Sequence, residues 1–221
     1  AMPVRMAKIL CPEAIFIRGD MELYTRLSRM VTQIIAEKAP LFEKAPINEH
    51  YLDLTGMERY FGCYKWAHEL RQSIIHHTGL PISLGLSVNK TVAKMATGEA
   101  KPNGEKEVPS MEVKNFLNPL PIHKIPGIGE KTYQTLRSMG IVNIQTLSAI
   151  PPDIMETLLG KNGIILWKRA NGIDTTPVIP YSEEKSIGHE TTFDQDTIDG
   201  NKITNTLLRM TERLTLSLIH I

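Results

Sequence analysis

Hydrophobic residues recur at helical spacing between Asp20 and Lys38, at Leu23, Leu27, Met30, Val31, Ile34 and Ile35. Asp20 stands where an N-cap belongs. Around Ile47, Tyr51, Leu52 and Leu54 the pattern shifts to that of a half-buried strand over 47–54. A second helix is predicted within Glu58–Thr78. Its buried face would be Trp66, Leu70, Ile74 and Ile75, and Gly79 would end it. PISLGLSV, 81–88, reads as a strand. NKTVAKMATGEAK, 89–101, reads as a helix with Asn89 near its cap. Helix and strand alternate, which predicts an α/β layer.

The texture then changes. Pro102, Pro109, Pro119, Pro121 and Pro126 mark a boundary with short connections. From 110 to 174 the pattern is all-helical, cut by Gly and Pro. Residues 175–185 read as an exposed linker. SIGHETTFDQD, 186–196, alternates like a strand, and 200–219 is helical. The organisation predicted is an α/β domain, a small helical domain, a linker and the start of a third unit.

Composition narrows the class. With 221 residues, 42% hydrophobic and 22% charged, the chain is an ordinary globular protein, too apolar for disorder. A net charge of +1 names no partner. Within 86–137, eight Lys and Arg face five Glu, a local excess of three positive charges and a weak pointer to an anionic partner. Cys11 and Cys63 form neither a metal spacing nor a disulfide framework, which fits a reducing cytosol. No run approaches the ~20 apolar residues of a membrane span, and the N-terminus does not read as a signal peptide. His50, His76, His77 and His123 show no ligand spacing, and the methionines at 21, 30, 57 and 95 read as core filler.

IPGIGEKTYQTLRSMGI, 125–141, has the form of a helix–hairpin–helix. Gly127 and Gly129 would allow a turn through φ values that other residues resist. The turn opens a helix whose first amides and dipole make an anion site at Gly127, Ile128 and Gly129. Lys131 sits in the first helical turn, where a cation opposes the dipole unless a phosphate lies nearby. Leu136, Met139 and Ile141 would pack the hairpin. This pattern points to DNA-backbone binding without base readout. GIGEKT lacks the ending of a P-loop.

Four segments together resemble the Y-family translesion DNA polymerases, of the DinB or DNA polymerase IV group. They are INEHYLDLTGMERYFG (47–62), GLPISLGLSVNKTVAKMATGEAKPNG (79–104), the hairpin, and KSIGHETTF (185–193). The resemblance covers essentially the whole chain and is specific, because S-x-N-K-x-x-A-K-x-A followed by A-K-P-N-G rarely arises otherwise. It implies an α+β protein with an α/β-layered palm and an all-helical thumb. Residues 1–19 would be the end of the fingers, 20–105 the palm, 106–175 the thumb, 176–185 the linker and 186–221 the start of the little finger. The chain reads as a fragment without the first palm strand and most of the little finger.

The activity implied is template-directed nucleotidyl transfer past damaged bases, in the cytoplasm, on primer–template DNA and dNTP, with two Mg²⁺ ions. A sliding-clamp contact through a tail beyond residue 221 stays open. Lys101 matches the lysine that meets the incoming triphosphate; Tyr51 and Asp53 match palm-strand residues with packing or supporting roles. Lys90 and Lys94 read equally as structural, solvated or DNA-facing.

Where the family has S-I-D-E, this chain has Pro46-Ile47-Asn48-Glu49. Glu49 matches the second acid and Asn48 replaces the first. An amide oxygen brings no charge to Mg²⁺, and two-metal phosphoryl transfer needs negative ligands. The chain alone is therefore expected to be inactive. The alternative is a DNA-binding accessory protein of the same superfamily that has lost its metal ligands.

Overall fold

The structure, a computed structural model, describes residues 2–57, 62–180, 186–193 and 195–219, with 217–219 described by backbone alone. The chain forms two compact units, residues 1–180 and 181–221.

In the first unit a short exposed helix α1 (Val4–Leu10) precedes α2 (Met21–Lys38). The α2 cap is as the sequence reads: the Asp20 carboxylate accepts from the Leu23 N–H at 2.9 Å. Next come β1 (Phe42–Lys44) and β2 (His50–Leu52), paired antiparallel. The expected strand over 47–54 is thus cut to its centre. Before it, the Glu49 N–H donates to Pro46 O in a turn. After it, the Asp53 carboxylate accepts from the Thr55 N–H and bends the chain away.

Helix α3 (Cys63–Thr78) buries Ala67, Leu70, Arg71 and Ile74, and ends at Gly79 with φ +70°. Residues 58–61, placed in this helix and in the quoted motif by the sequence, lie outside the described residues. Strand β3 (Leu84–Ser87) and helix α4 (Lys90–Glu99) follow, and the Asn89 side chain caps α4 through the Val92 N–H. Gly85 is required here. A Cβ on it would lie 2.2 Å from Ala93 O, so only glycine lets α4 settle onto β3. Strand β4 (Glu105–Val108) then pairs parallel with β3. Sequence reading missed it, because three of its four residues are charged.

The expected all-helical stretch is present as α5 (Val113–Leu117), α6 (Glu130–Ser138), α7 (Ile144–Ser148), α8 (Pro152–Leu159) and α9 (Lys161–Ala170). Two cores result. Val31, Ile35, Leu70 and Ile74 join α2 to α3, with Phe42, Leu52 and Ile82 packed against them. A larger core runs without a break from Val92, Met95 and Ala96 of α4, through Val108, to Leu117, Leu136, Leu147 and Leu166. Each large aliphatic side chain fully buried there contributes about 1.5–3 kcal/mol. Of the four methionines expected in the core, only Met95 is fully buried; Met57 is half-buried, and Met21 and Met30 are exposed because they fall off the buried stripe of α2. Met139 is likewise 49% exposed, so Leu136 and Ile141 pack the hairpin without it.

In the second unit, Asp199 caps α10 (Gly200–Ile219) through the Asn201 N–H at 2.9 Å. The strand expected over 186–196 does not form among the described residues, which are irregular there. A strand needs a neighbour for its backbone groups, and none is paired with this one. Residues 181–185 of the expected linker lie outside the described residues.

Candidate active site and nucleic-acid interface

An open cleft of about 1930 Å³ in the first unit has Asn48, Glu49, Lys94 and Lys101 on its wall, and the hairpin turn at Ile125–Ile128 lines it as well. The turn before β2 sets the acidic end. Ser28 of α2 donates to Ile47 O and ties the turn down, leaving Asn48 exposed and Glu49 half-buried.

Helix α4 supplies the opposing charge. Lys90 and Lys94, four apart, lie on one helix face. The Lys94 ammonium donates to both Glu49 oxygens, at 2.5 and 2.7 Å. Tyr51 donates its hydroxyl to Glu49 Oε1 at 2.5 Å. Burial works against the Glu49 charge, but the hydrogen bonds from Lys94 and Tyr51 and the charges of Lys94 and Lys101 outweigh it, so its pKa is lowered. Burial and the bond to Glu49 push the Tyr51 hydroxyl well above its usual range, so it stays a donor. Lys90 repeats the pattern on Glu43, at 2.7 Å, and its ammonium lies 4.8 Å from the centre of the Tyr51 ring. Lys101 is exposed in the turn after α4.

The sequence left Lys90 and Lys94 undecided. Their four-residue spacing was the available signal that both face one way, but the acids they meet lie 45 and 47 residues away. The two Mg²⁺ ions implied by the resemblance are poorly matched by this donor set. Asn48 brings no charge, and the carboxylate that follows it, Glu49, has both its oxygens held by Lys94. Among the described residues no three His, Cys, Asp or Glu side chains gather closely enough to hold a metal.

The hairpin is a separate apparatus. Gly127 turns at φ +94°, and a Cβ on it would lie 2.8 Å from Arg169 Nη1; Arg169 in turn donates to Pro126 O. Gly129 departs from expectation. Its φ is −85° and its ψ 174°, an extended N-cap, and a Cβ there would meet nothing within 4 Å. Its value is open space, not an unusual φ. The Ile128 N–H is also taken, donating to Ile125 O at 3.1 Å, and its side chain packs on the larger core. The first backbone bond of α6 runs from the Tyr133 N–H to Gly129 O. The amides of Gly129, Glu130 and Lys131 therefore point out of the helix end. Lys131 is exposed beside them.

A sequence profile of the impB/mucB/samB family matches residues 1–98, and one of the IMS family HHH motif matches 110–141. A DNA polymerase IV of Dehalococcoides mccartyi is 40% identical over 98% of this chain and 56% of its own length. One from Clostridium perfringens is 36% identical over 99% of this chain and 61% of its own. The chain thus spans little more than half the length of these curated relatives. Among solved structures, DinB from Sulfolobus solfataricus superposes with a TM-score of 0.71 at 29% identity, over 80% of this chain and 53% of that one. An insertion ternary complex of Dbh DNA polymerase gives 0.71 at 30% identity, over 80% and 52%. The acidic turn, the lysine-bearing helix and the hairpin occur in one chain with these relatives: it belongs to the Y family of DNA polymerases, on the DinB branch.

Proposed function

We propose that this chain carries the nucleotide-positioning and DNA-gripping parts of an error-prone translesion DNA polymerase. The reaction is attack of a primer 3′-hydroxyl on the α-phosphorus of a dNTP, with pyrophosphate leaving. The single observation that carries the reading is one cleft lined by Glu49, Lys94 and Lys101 together with the hairpin turn. Lys101, which lines the same cleft as Lys94, binds the triphosphate. The amides of Gly129, Glu130 and Lys131 take a DNA phosphate and set the register of the duplex without reading its bases. Residues 20–105 are assigned to the palm, 106–175 to the thumb, 176–185 to the linker and 186–221 to the start of the little finger. A cytoplasmic location would suit work on genomic DNA.

In two-metal catalysis Mg²⁺ activates the nucleophile and stabilises the leaving group. Among the described residues the donors fit such a pair poorly. A second reading follows from the same turn. With Asn48 neutral and Glu49 engaged by Lys94, the protein would grip DNA without catalysis, as an accessory subunit. Primer extension separates the two. The 221-residue chain is expected to extend nothing. The complete protein containing it is expected to insert nucleotides, faster in Asn48→Asp. A complete protein that binds duplex but stays inert, with and without Asn48→Asp, would leave the accessory reading standing.

A further inference from the structure

We infer that Arg71, which lines the same cleft from α3, positions Lys101 for the triphosphate. This rests on the polymerase reading above. Arg71 is only 7% exposed. A guanidinium so buried requires acceptors for its donors, and four bonds meet it. Nε donates to Ile82 O at 2.7 Å and Nη1 to Glu105 Oε1 at 2.7 Å. Nη2 donates to Asn103 O at 2.7 Å and to Asn103 Oδ1 at 2.8 Å. Glu105 is held in turn by His68, at 2.9 Å, and Tyr64, at 3.2 Å.

These bonds converge on the turn between α4 and β4, which carries Lys101. Asn103 sits there at φ +47°, a left-handed conformation that costs a non-glycine residue free energy. Gly104 closes the turn so tightly that a Cβ on it would lie 2.2 Å from Ala100 O. Lys101 itself is exposed and has no ion-pair partner among the described residues. No side-chain ion pair among them holds its ammonium, so the turn that carries its backbone sets the region it can reach. A purely structural arginine would need only Ile82 and Glu105 to join α3 to the segment before β3 and to β4. The two bonds to Asn103 do something more: they fix the strained turn from below. Small displacements of a binding group are costly where geometry matters.

The test is single-nucleotide insertion by the complete protein against dNTP concentration. Arg71→Lys keeps the charge opposite Glu105 but loses the planar fork. Asn103→Gly suits the positive φ, keeps the backbone carbonyl acceptor and removes the whole carboxamide side chain, the Oδ1 acceptor with it. Arg71→Lys is expected to raise KM for dNTP about tenfold and Asn103→Gly about threefold, with kcat and the Kd for duplex within about twofold. In a Lys101→Ala background both increases should vanish, since a residue acting through Lys101 has nothing left to position. An unchanged KM in the folded variants, or the same increase without Lys101, overturns the inference. Should Arg71→Lys fail to fold, Asn103→Gly, at an exposed position, decides alone. A parent protein that inserts no nucleotide rejects the polymerase reading, and this inference with it.

Discussion

The cleft and the hairpin handle charge in opposite ways. On the cleft side, acids and bases neutralise each other: Lys94 holds Glu49, Lys90 holds Glu43 and Arg71 holds Glu105. At the hairpin the polar groups are backbone amides at a helix start, with Lys131 exposed beside them. The cleft is stable as it stands and must exchange partners to act. The hairpin is ready for an anion without rearrangement. Accordingly, the hairpin should bind duplex in the isolated chain, while nucleotide chemistry should need more than this chain provides.

The largest expected effect falls on the hairpin. Gly127→Val combines a positive φ with a clash against Arg169. It should cost about 1–3 kcal/mol of stability, the range for a strained backbone site, and abolish duplex binding. Gly129→Val is the control. Its φ is ordinary and its Cβ meets nothing, so it should fold like the parent but bind duplex more weakly, because the branched side chain occupies the phosphate's approach. Thermal unfolding and a duplex titration read both. If Gly129→Val binds as the parent does, the hairpin is structural and the contrast with the cleft collapses.

Acid comes next, and it acts on the cleft side. At Glu43, Glu49 and Glu105 burial raises the pKa, yet hydrogen bonds and neighbouring cations prevail and each lies below its ordinary 4.5. Their contribution is complete above that value and is lost as pH falls through the lower folded-state values. The unfolding temperature should therefore drop on acidification below pH 4.5. A flat profile there would mean that the three pairs contribute nothing net.

Lys94→Met has a smaller expected effect. Its pair with Glu49 is partly solvated, with side chains 42% and 31% exposed, so stability should fall by less than about 1 kcal/mol. Glu49 should titrate higher, which carboxylate NMR can follow. Smallest is Lys131→Ala. It should leave stability alone, weaken duplex binding slightly from a parent Kd of about 10⁻⁴–10⁻⁶ M, and reduce the salt slope by about one unit.

The same contrast explains what the sequence disclosed. Asp20, Asn89 and Gly79 act within one helical turn, and each does what its local pattern predicts. The hairpin is equally local, so its form was legible from PGIG and MGI, although the φ of Gly129 and the engaged Ile128 N–H were not. The cleft is built from partners 34 to 47 residues apart, and no local pattern reports such pairs. Strand β4 was hidden for a related reason: its charges are matched by Arg71 and by a cation over an aromatic ring, Lys106 against Phe116. The resemblance supplied Glu49 and Lys101. It did not supply Lys94 or Arg71, whose importance appears only when their partners are in place.

The larger core has a consequence for cooperativity. Val92 on the lysine-bearing helix and Leu136 on the hairpin are both fully buried in one continuous apolar cluster. Two segments that share a core cannot melt separately, so they should form a single foldon. Native-state hydrogen exchange would then find the amides of Val92 and Leu136 opening with one common free energy and one denaturant dependence. Damage to the hairpin would be felt at Lys90 and Lys94 as a loss of local protection, which makes the two sites proposed for duplex and nucleotide parts of one unfolding event.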